Sequence, residues 1–404
     1  MVVNKYVIFS FLIITFLIGG VFFVLSNEHF VQKSKNLELS SSISSRKLID
    51  DIFKNRGKKS DSSQEEEVVE KNPTLKEVKA VYFTSWSASK EIHIEYIINL
   101  AKETEINAVV IDVKDFSGRV AYDTDVKELE EYGAEQERIE DIKSLIERLH
   151  GAGVYVIARI TVFQDPVLAR ARPELAVKSK SSLNGSSSDV LWRDNLGLAW
   201  IDPSTKESWD YNIALAKDAL DHGFDEINFD YVRFPSDGSL EDMFFPSWDN
   251  KKAKHEVIKD FFSYLRKEIP NEKLSVDLFG LSTVSYSDLG IGQIIEDAYD
   301  NFDYVCPMIY PSHYSSGFSG YEKPAEHPYE VVEKSASVAL ERLKKNNNYK
   351  AKLRPWLQDF SLKTDYDAEM VRNQIQALKD VTGKDYAGYM LWNSYNVYTE
   401  EALR

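Results

Sequence analysis

FDEINFDYVRFP, residues 224–235, places Asp225, Glu226, Asn228 and Asp230 within six positions and sets Ile227, Phe229 and Val232 among them. A surface loop has no use for those apolar side chains. An ordinary core strand does not tolerate so many polar groups. Both demands are met by a strand buried on two faces whose far end opens into a site. The closed barrel of parallel strands is built this way, with chemistry gathered at the C-terminal ends of its strands. The stretch therefore reads as one barrel strand with Asp230 at its working end. Asp225 and Glu226, at its start, are expected to face solvent or cap the preceding turn.

The flanking sequence supports this reading. Short β-branched runs alternate with amphipathic stretches, the pattern of βα units. Strands are expected at 78–84, 107–113, 153–160, 226–232, 273–280, 302–310, 351–358 and 386–393. Seven helical patterns separate them, and a weak one near NVYTEEAL follows the last. Strand one runs into YFTSWSASK without a GxGxxG turn, which disfavours a doubly wound nucleotide-binding sheet. The expected fold is an α/β (β/α)8 TIM barrel over 77–404. Three long segments follow strands three, four and six, so all belong to the rim that carries Asp230.

The strand ends supply the candidate site. Cleavage of a glycosidic bond needs two carboxyl groups, one protonated and one ionised. Asp230 is the first choice for nucleophile, with Arg233 nearby to favour its charged form, and Asp277 on the next strand is the choice for general acid/base. Asp112 reads either as a sugar ligand or as a salt-bridge partner of Lys114. Arg159 reads as the residue that orients a carboxylate, Asp230 reads alternatively as an ion-pair partner of Arg159 or Arg233, and Asn228 reads as a structural or a substrate contact. Trp86, Tyr310, Trp356 and Trp392 lie at strand ends, where aromatic faces can stack on the C–H face of a sugar. Trp192, Trp200 and Trp248, in the insertions, either extend that surface or pack beneath the loops. His313, after strand six, is a weaker candidate for carrying a proton.

Composition narrows the partners. A net charge of -16 argues against a nucleic-acid binder. The single cysteine, Cys306, excludes an intramolecular disulfide and a multi-cysteine metal site. The seven histidines show no ligand spacing, so neither metal nor cofactor is expected. YVIFSFLIITFLIGGVFFVL, residues 6–25, is apolar, uncharged and long enough to span a bilayer. It reads as a transmembrane anchor (1–26) more readily than as a cleaved signal, because no A-x-A site follows. Lys5 on its short flank orients the rest of the chain outward. Residues 27–76, rich in Ser, Lys and Glu, read as a disordered tether. The expected location is the cell membrane, single-pass, with the C-terminal domain extracellular, or secretion if the segment is cleaved.

VYFTSWSA, NAVVIDVKD, VIARITVFQDP, LAWIDPS, EINFDYVRFP, SVDLFG, DYVCPMIYPSHY, RPWLQDF and GYMLWNSYN, in this order, resemble a bacterial family of glycoside hydrolases with a TIM-barrel catalytic domain, first defined as a domain of unknown function. The resemblance covers about 78–393 and implies the barrel and action on a polysaccharide. A looser resemblance is to chitinase-type barrels, whose strand four carries D-x-x-D-x-D-x-E. The same register here holds Asp225, Asn228, Asp230 and Val232, so that family's acid is missing. The α-amylase type also places an aspartate nucleophile at the end of strand four, as Asp230 is placed, but Asp277 stands where that type has a glutamate. The expected function is a membrane-anchored extracellular glycoside hydrolase acting on a cell-envelope or exported polysaccharide. The rivals are a non-catalytic carbohydrate-binding barrel, which would bind without turnover, and a metal-dependent deacetylase, which a chelator would inhibit.

Overall fold

The structure, a computed structural model, describes residues 75–183 and 190–404. The proposed membrane span and nearly all of the tether lie outside the described residues. Among the described residues no helix is long and apolar enough to cross a membrane.

Eight strands run parallel around a closed ring: β1 (Val78–Phe83), β2 (Ala108–Lys114), β3 (Tyr155–Thr161), β4 (Glu226–Asp230), β5 (Lys273–Phe279), β6 (Tyr304–Ile309), β7 (Trp356–Gln358) and β8 (Gly388–Trp392). Each pairs with the next, and β8 pairs with β1 to close the ring. The run expected at 351–358 is broken. Lys352–Leu353 pairs with the start of β6, and β7 begins only after Pro355, which has no N–H to give the ladder. The connecting helices are α1 (Glu91–Glu103), α2 (Ile142–Gly151), α3 (Lys206–Asp221), α4 (Lys254–Glu268), α5 (Ile295–Tyr299), α6 (Pro328–Lys344) and α7 (Ala368–Thr382). A single 3₁₀ turn, Glu400–Ala402, takes the eighth place. This is the (β/α)8 barrel expected from the sequence.

α2 shows how locally these elements are specified. The Asp141 carboxylate caps the Ser144 N–H at its start. Ile142, Leu145, Ile146 and Leu149 recur at helical spacing and are buried against the sheet. The chain leaves through Gly153 at φ +77°, the left-handed conformation that glycine adopts without a Cβ clash.

Alternation along β4 answers the question its sequence raises. Ile227 and Phe229 point outward into the strand–helix core, while Glu226, Asn228 and Asp230 share the opposite face, inside the barrel. Asp225 and Glu226 are not solvent-facing: they are 5% and 0% exposed. Asp225 accepts from the Val156 N–H at 2.7 Å and pairs with His150 Nε2 at 2.8 Å. Glu226 lies in the barrel, ion-paired with Arg354 and accepting from Ser275 Oγ at 2.5 Å. The expectation fails because the strand start is covered on both sides: Glu226 lies in the floor of the closed barrel against Arg354, and Asp225, of the opposite parity, lies against His150 of α2.

The ring closes tightly. Gly388 has φ +94°, and a Cβ there would lie 1.9 Å from the Val78 carbonyl oxygen. Gly388→Ala is therefore expected to open the β8–β1 seam and cost about 3 kcal/mol. Gly151→Ala, where a Cβ meets nothing within 4 Å, is the control and is expected to be near neutral. Equal urea midpoints for the two variants would show that the seam is not tight.

The long segments after β3 and β4 are knitted together on the C-terminal side. Lys178–Ser179 pairs antiparallel with Met243–Phe244. Trp192 donates its Nε1–H to the Ser239 carbonyl at 2.9 Å, and Trp200 donates to Asp194 Oδ2 at 2.9 Å. Both indoles are buried, so they pack beneath the loops rather than line a cleft. Trp248 likewise packs on Phe234 and Phe245.

Candidate active site

Inside the upper barrel, four strands present charged groups to one another. Arg159, on β3, stands at the centre. Its Nη1 donates to Asp112 Oδ1 on β2 at 2.5 Å, its Nη2 to Asp230 Oδ2 on β4, and its Nε lies 3.8 Å from Asp277 Oδ2 on β5. All four side chains are buried. Burial opposes the Arg159 charge, but Asp112 and Asp230 overcome it and hold the guanidinium protonated. The planar fork suits this task because it serves several carboxylates in one plane, as a lysine ammonium does not.

The three carboxylates are not equivalent. Asp230 ends β4, and its Oδ1 accepts from the Tyr231 N–H at 2.6 Å. Tyr231 has φ +53°, a strained conformation for a side chain of this size, in the residue that follows Asp230. Asp277 is not at a strand tip, as its sequence position suggested, because β5 continues to Phe279. It sits within the barrel at 1% exposure. Its Oδ1 accepts from Asn228 Nδ2 at 2.9 Å and from Trp356 Nε1 at 2.7 Å. Burial, then the charge of Asp230, push its pKa well above the usual carboxylate range, against the opposing pull of Arg159, Asn228 and Trp356. With Oδ1 occupied by two donors, the proton belongs on Oδ2. Burial also raises Asp112, against the pull of Arg159 and of the Tyr82 hydroxyl, which donates to Asp112 Oδ2 at 2.5 Å.

Lys114 is not the partner of Asp112. The β2–β3 register shifts between Asp112 and Lys114, and this irregularity sends Lys114 out of the barrel into the helix layer. There it pairs with Asp165 at 2.8 Å and with Asn212 at 2.7 Å. Arg233 does not pair with Asp230 either. Its guanidinium lies 4.7, 5.1 and 5.0 Å from the ring centroids of Trp200, Tyr231 and Phe279, and it donates to the Phe234 carbonyl and Ser236 Oγ. Of the two arginines, Arg159 is the one that pairs with Asp230.

The aromatic candidates separate by depth. Trp356 is buried and serves Asp277 through its N–H. Trp392 stacks on Tyr82 at 4.0 Å and lies 5.3 Å from the Arg159 guanidinium. Tyr310 is 6% exposed and meets His313 and Phe360 edge-on, at 5.3 and 5.6 Å. Burial and the nearby charges of Asp277 and Asp230 raise its phenol well above the usual range. Trp86 is 52% exposed on the rim. The Arg138 guanidinium covers one face of its indole at 4.6 Å and is itself fixed by Asp115 and Ser85. The sequence reading missed Tyr82, which both holds Asp112 and floors Trp392. Its signal was available: Tyr82 shares strand parity with Val78 and Ala80, the inward-facing residues of β1.

Among solved structures, a hypothetical protein from Ruminiclostridium thermocellum ATCC 27405 is 41% identical over 49% of this chain and 96% of its own, with a TM-score of 0.44. The α-galactosidase TtGalA from Thermus thermophilus is 12% identical, covering 81% of this chain and 60% of its own, with a TM-score of 0.49. This chain thus spans less than two thirds of that enzyme. The glycoside hydrolase domain of PelA from Pseudomonas aeruginosa is 10% identical over 79% of this chain and 96% of its own, with a TM-score of 0.42. No curated protein matches the sequence. A family model matches residues 80–398, nearly all of the barrel, and the chain belongs to that family, described as "Putative glycosyl hydrolase domain".

Proposed function

We propose that the barrel hydrolyses glycosidic bonds of a polysaccharide outside the cell, with Asp230 as the ionised carboxylate and Asp277 as the general acid. One observation carries the reading. A single guanidinium reaches both carboxyl groups, while burial and a neighbouring charge keep one of them protonated. Asp277 Oδ2 would give its proton to the departing glycosidic oxygen. The charge left behind would then meet Arg159 Nε, a buried donor that has no hydrogen-bond partner among the described residues. Asp230 would attack the anomeric carbon or activate a water beside it. The apolar segment at residues 6–25 supports a membrane-anchored, outward-facing placement.

A second reading, a barrel that binds carbohydrate without cleaving it, draws on the depth of Asp277, of which only 1% is exposed. The test is release of new reducing ends by the full-length chain from a panel of envelope and exported polysaccharides, followed across pH. Activity is expected to fall on the alkaline side, where Asp277 loses its proton. Asp277→Asn is expected to lower kcat by about 10²–10⁴ and to remove that limb. Stability carries the same sign. A carboxyl whose folded pKa is raised binds its proton more tightly in the folded state, so its contribution is fully present at low pH. That contribution declines as pH rises from the unfolded value through the folded one. Asp277→Asn should therefore match the wild type in acid and equal or exceed it in alkali. Binding without any product across the panel would favour the carbohydrate-binding reading.

A further inference from the structure

We propose that the pocket between the loops after β2 and β3 is an anionic subsite. It would take a carboxylate- or phosphate-bearing unit of the same glycan that reaches Asp230, so the proposal rests on the glycosidase reading and adds the substrate class. The pocket has a volume of about 700 Å³, and its lining includes Arg119, Arg170 and Arg172, with Glu131 as its one carboxylate. Both loops follow strands, so the pocket lies on the rim that carries Asp230.

The charges in the pocket are not balanced. Arg172 is committed, pairing with Glu174 at 2.5 Å and donating to Tyr132 Oη at 3.0 Å. Arg119 donates only to the Gly133 carbonyl, and Arg170 is exposed; among the described residues neither has an ion-pair partner. A chain of net charge -16 repels polyanions at long range, so uncompensated arginines gathered in a concavity are the feature such a ligand requires. Guanidinium groups suit carboxylate and phosphate oxygens through paired N–H donors.

The pocket is also built into the rim. Its β3 wall is the short helix Pro166–Ala171, capped by Asp165, and the Asp165–Lys114 pair ties that cap to β2 with both side chains fully buried. Its β2 wall is the tight turn 115–119. Gly118 in that turn lies so close to Asp165 that a Cβ would meet Oδ1 at 2.3 Å. The same turn holds Asp115, which fixes Arg138 under the Trp86 indole. One rigid turn therefore connects the exposed aromatic face of Trp86 to Arg119. That is the arrangement expected of a path along which successive sugar units first stack and then pair.

Binding to the full chain by isothermal calorimetry tests this. The probes are an oligogalacturonate, its carboxyl-reduced neutral counterpart, and a poly(glycerol phosphate). At least one acidic probe is expected to bind about tenfold or more tighter than the neutral one, with an advantage that shrinks as salt rises. Which acidic probe wins distinguishes a uronate from a phosphate source. The double variant Arg119→Ala/Arg170→Ala is expected to lose that advantage, by about tenfold per arginine, while its affinity for the neutral probe and its thermal midpoint hold. Equal wild-type affinity for all three probes, or a double variant that keeps the preference, would overturn the subsite. Because the readout is binding, the two proposals fail separately. A charge preference without hydrolysis anywhere sinks the glycosidase reading alone, whereas hydrolysis with equal affinity for all three probes sinks the subsite alone.

Discussion

Arg159→Met is expected to lower stability by about 3–5 kcal/mol at neutral pH and to abolish activity. The guanidinium binds Asp112 and Asp230 directly and lies against Asp277, in a barrel interior where all three carboxyls are buried. Methionine fills much of the same space but leaves the carboxylates without a counter-charge. Burial already raises Asp112 and Asp277 above their unfolded values, and loss of the opposing pull of Arg159 raises both further. The sign then follows from linkage: the variant keeps its stability below the unfolded carboxyl pKa and loses it as pH rises through the folded values. Urea midpoints for wild type and variant should therefore converge near pH 4 and separate towards pH 8. A pH-independent deficit would instead mean that the loss comes from packing alone. Arg159→Lys retains the charge without the fork, so it is expected to recover part of the stability and little of the activity.

Asp230→Asn is expected to lower kcat by about 10³-fold, within the range for a positioned catalytic carboxyl, with the fold intact. Arg159 and the Tyr231 N–H meet different oxygens of Asp230, so the single amide oxygen can keep one of these two hydrogen bonds and the other is lost with the charge. A second effect is linked to the first. The charge of Asp230 is one of the causes that raise the Asp277 pKa, so its removal should let Asp277 ionise at lower pH. The alkaline limb of the residual activity is expected to move down accordingly. Wild-type turnover in Asp230→Asn would remove this residue from the chemistry. Reduced turnover with an unmoved alkaline limb would break the assigned coupling between the two carboxyls.

Much of the fold was legible because its signals are local. The cap at Asp141 and the glycine at 153 bound a helix whose four apolar residues fall at helical spacing. Alternation in β4 placed Asn228 and Asp230 on one face without reference to any other strand. The interruption of strand seven was also legible, since Pro355 lies within the run and has no N–H for the ladder.

The partners in the site were only partly legible, because they are distant in sequence: Arg159 stood beside Arg233 as a candidate partner of Asp230, and nothing in the chain order chose between them. Nearness along the chain placed Arg233 by Asp230 and suggested Lys114 for Asp112, and both arginine and lysine turned elsewhere. Arg159 meets Asp230 from 71 positions away, and Arg354 meets Glu226 across 128. Such pairings depend on the stagger of strands around the ring and on a register shift in β2, neither of which a single strand encodes.

The sequence by itself determined that this chain forms a (β/α)8 barrel and that Asp230 stands at the end of its fourth strand. Hydrophobic periodicity, caps and turn residues act over a few positions and are therefore written in the order of residues. Only the tertiary structure decided that Asp277 lies deep enough for burial to raise its pKa, that Glu226 is buried, and that one arginine serves three carboxylates. Those outcomes follow from desolvation and Coulomb energy, which depend on distances through space that exist only once the ring has closed.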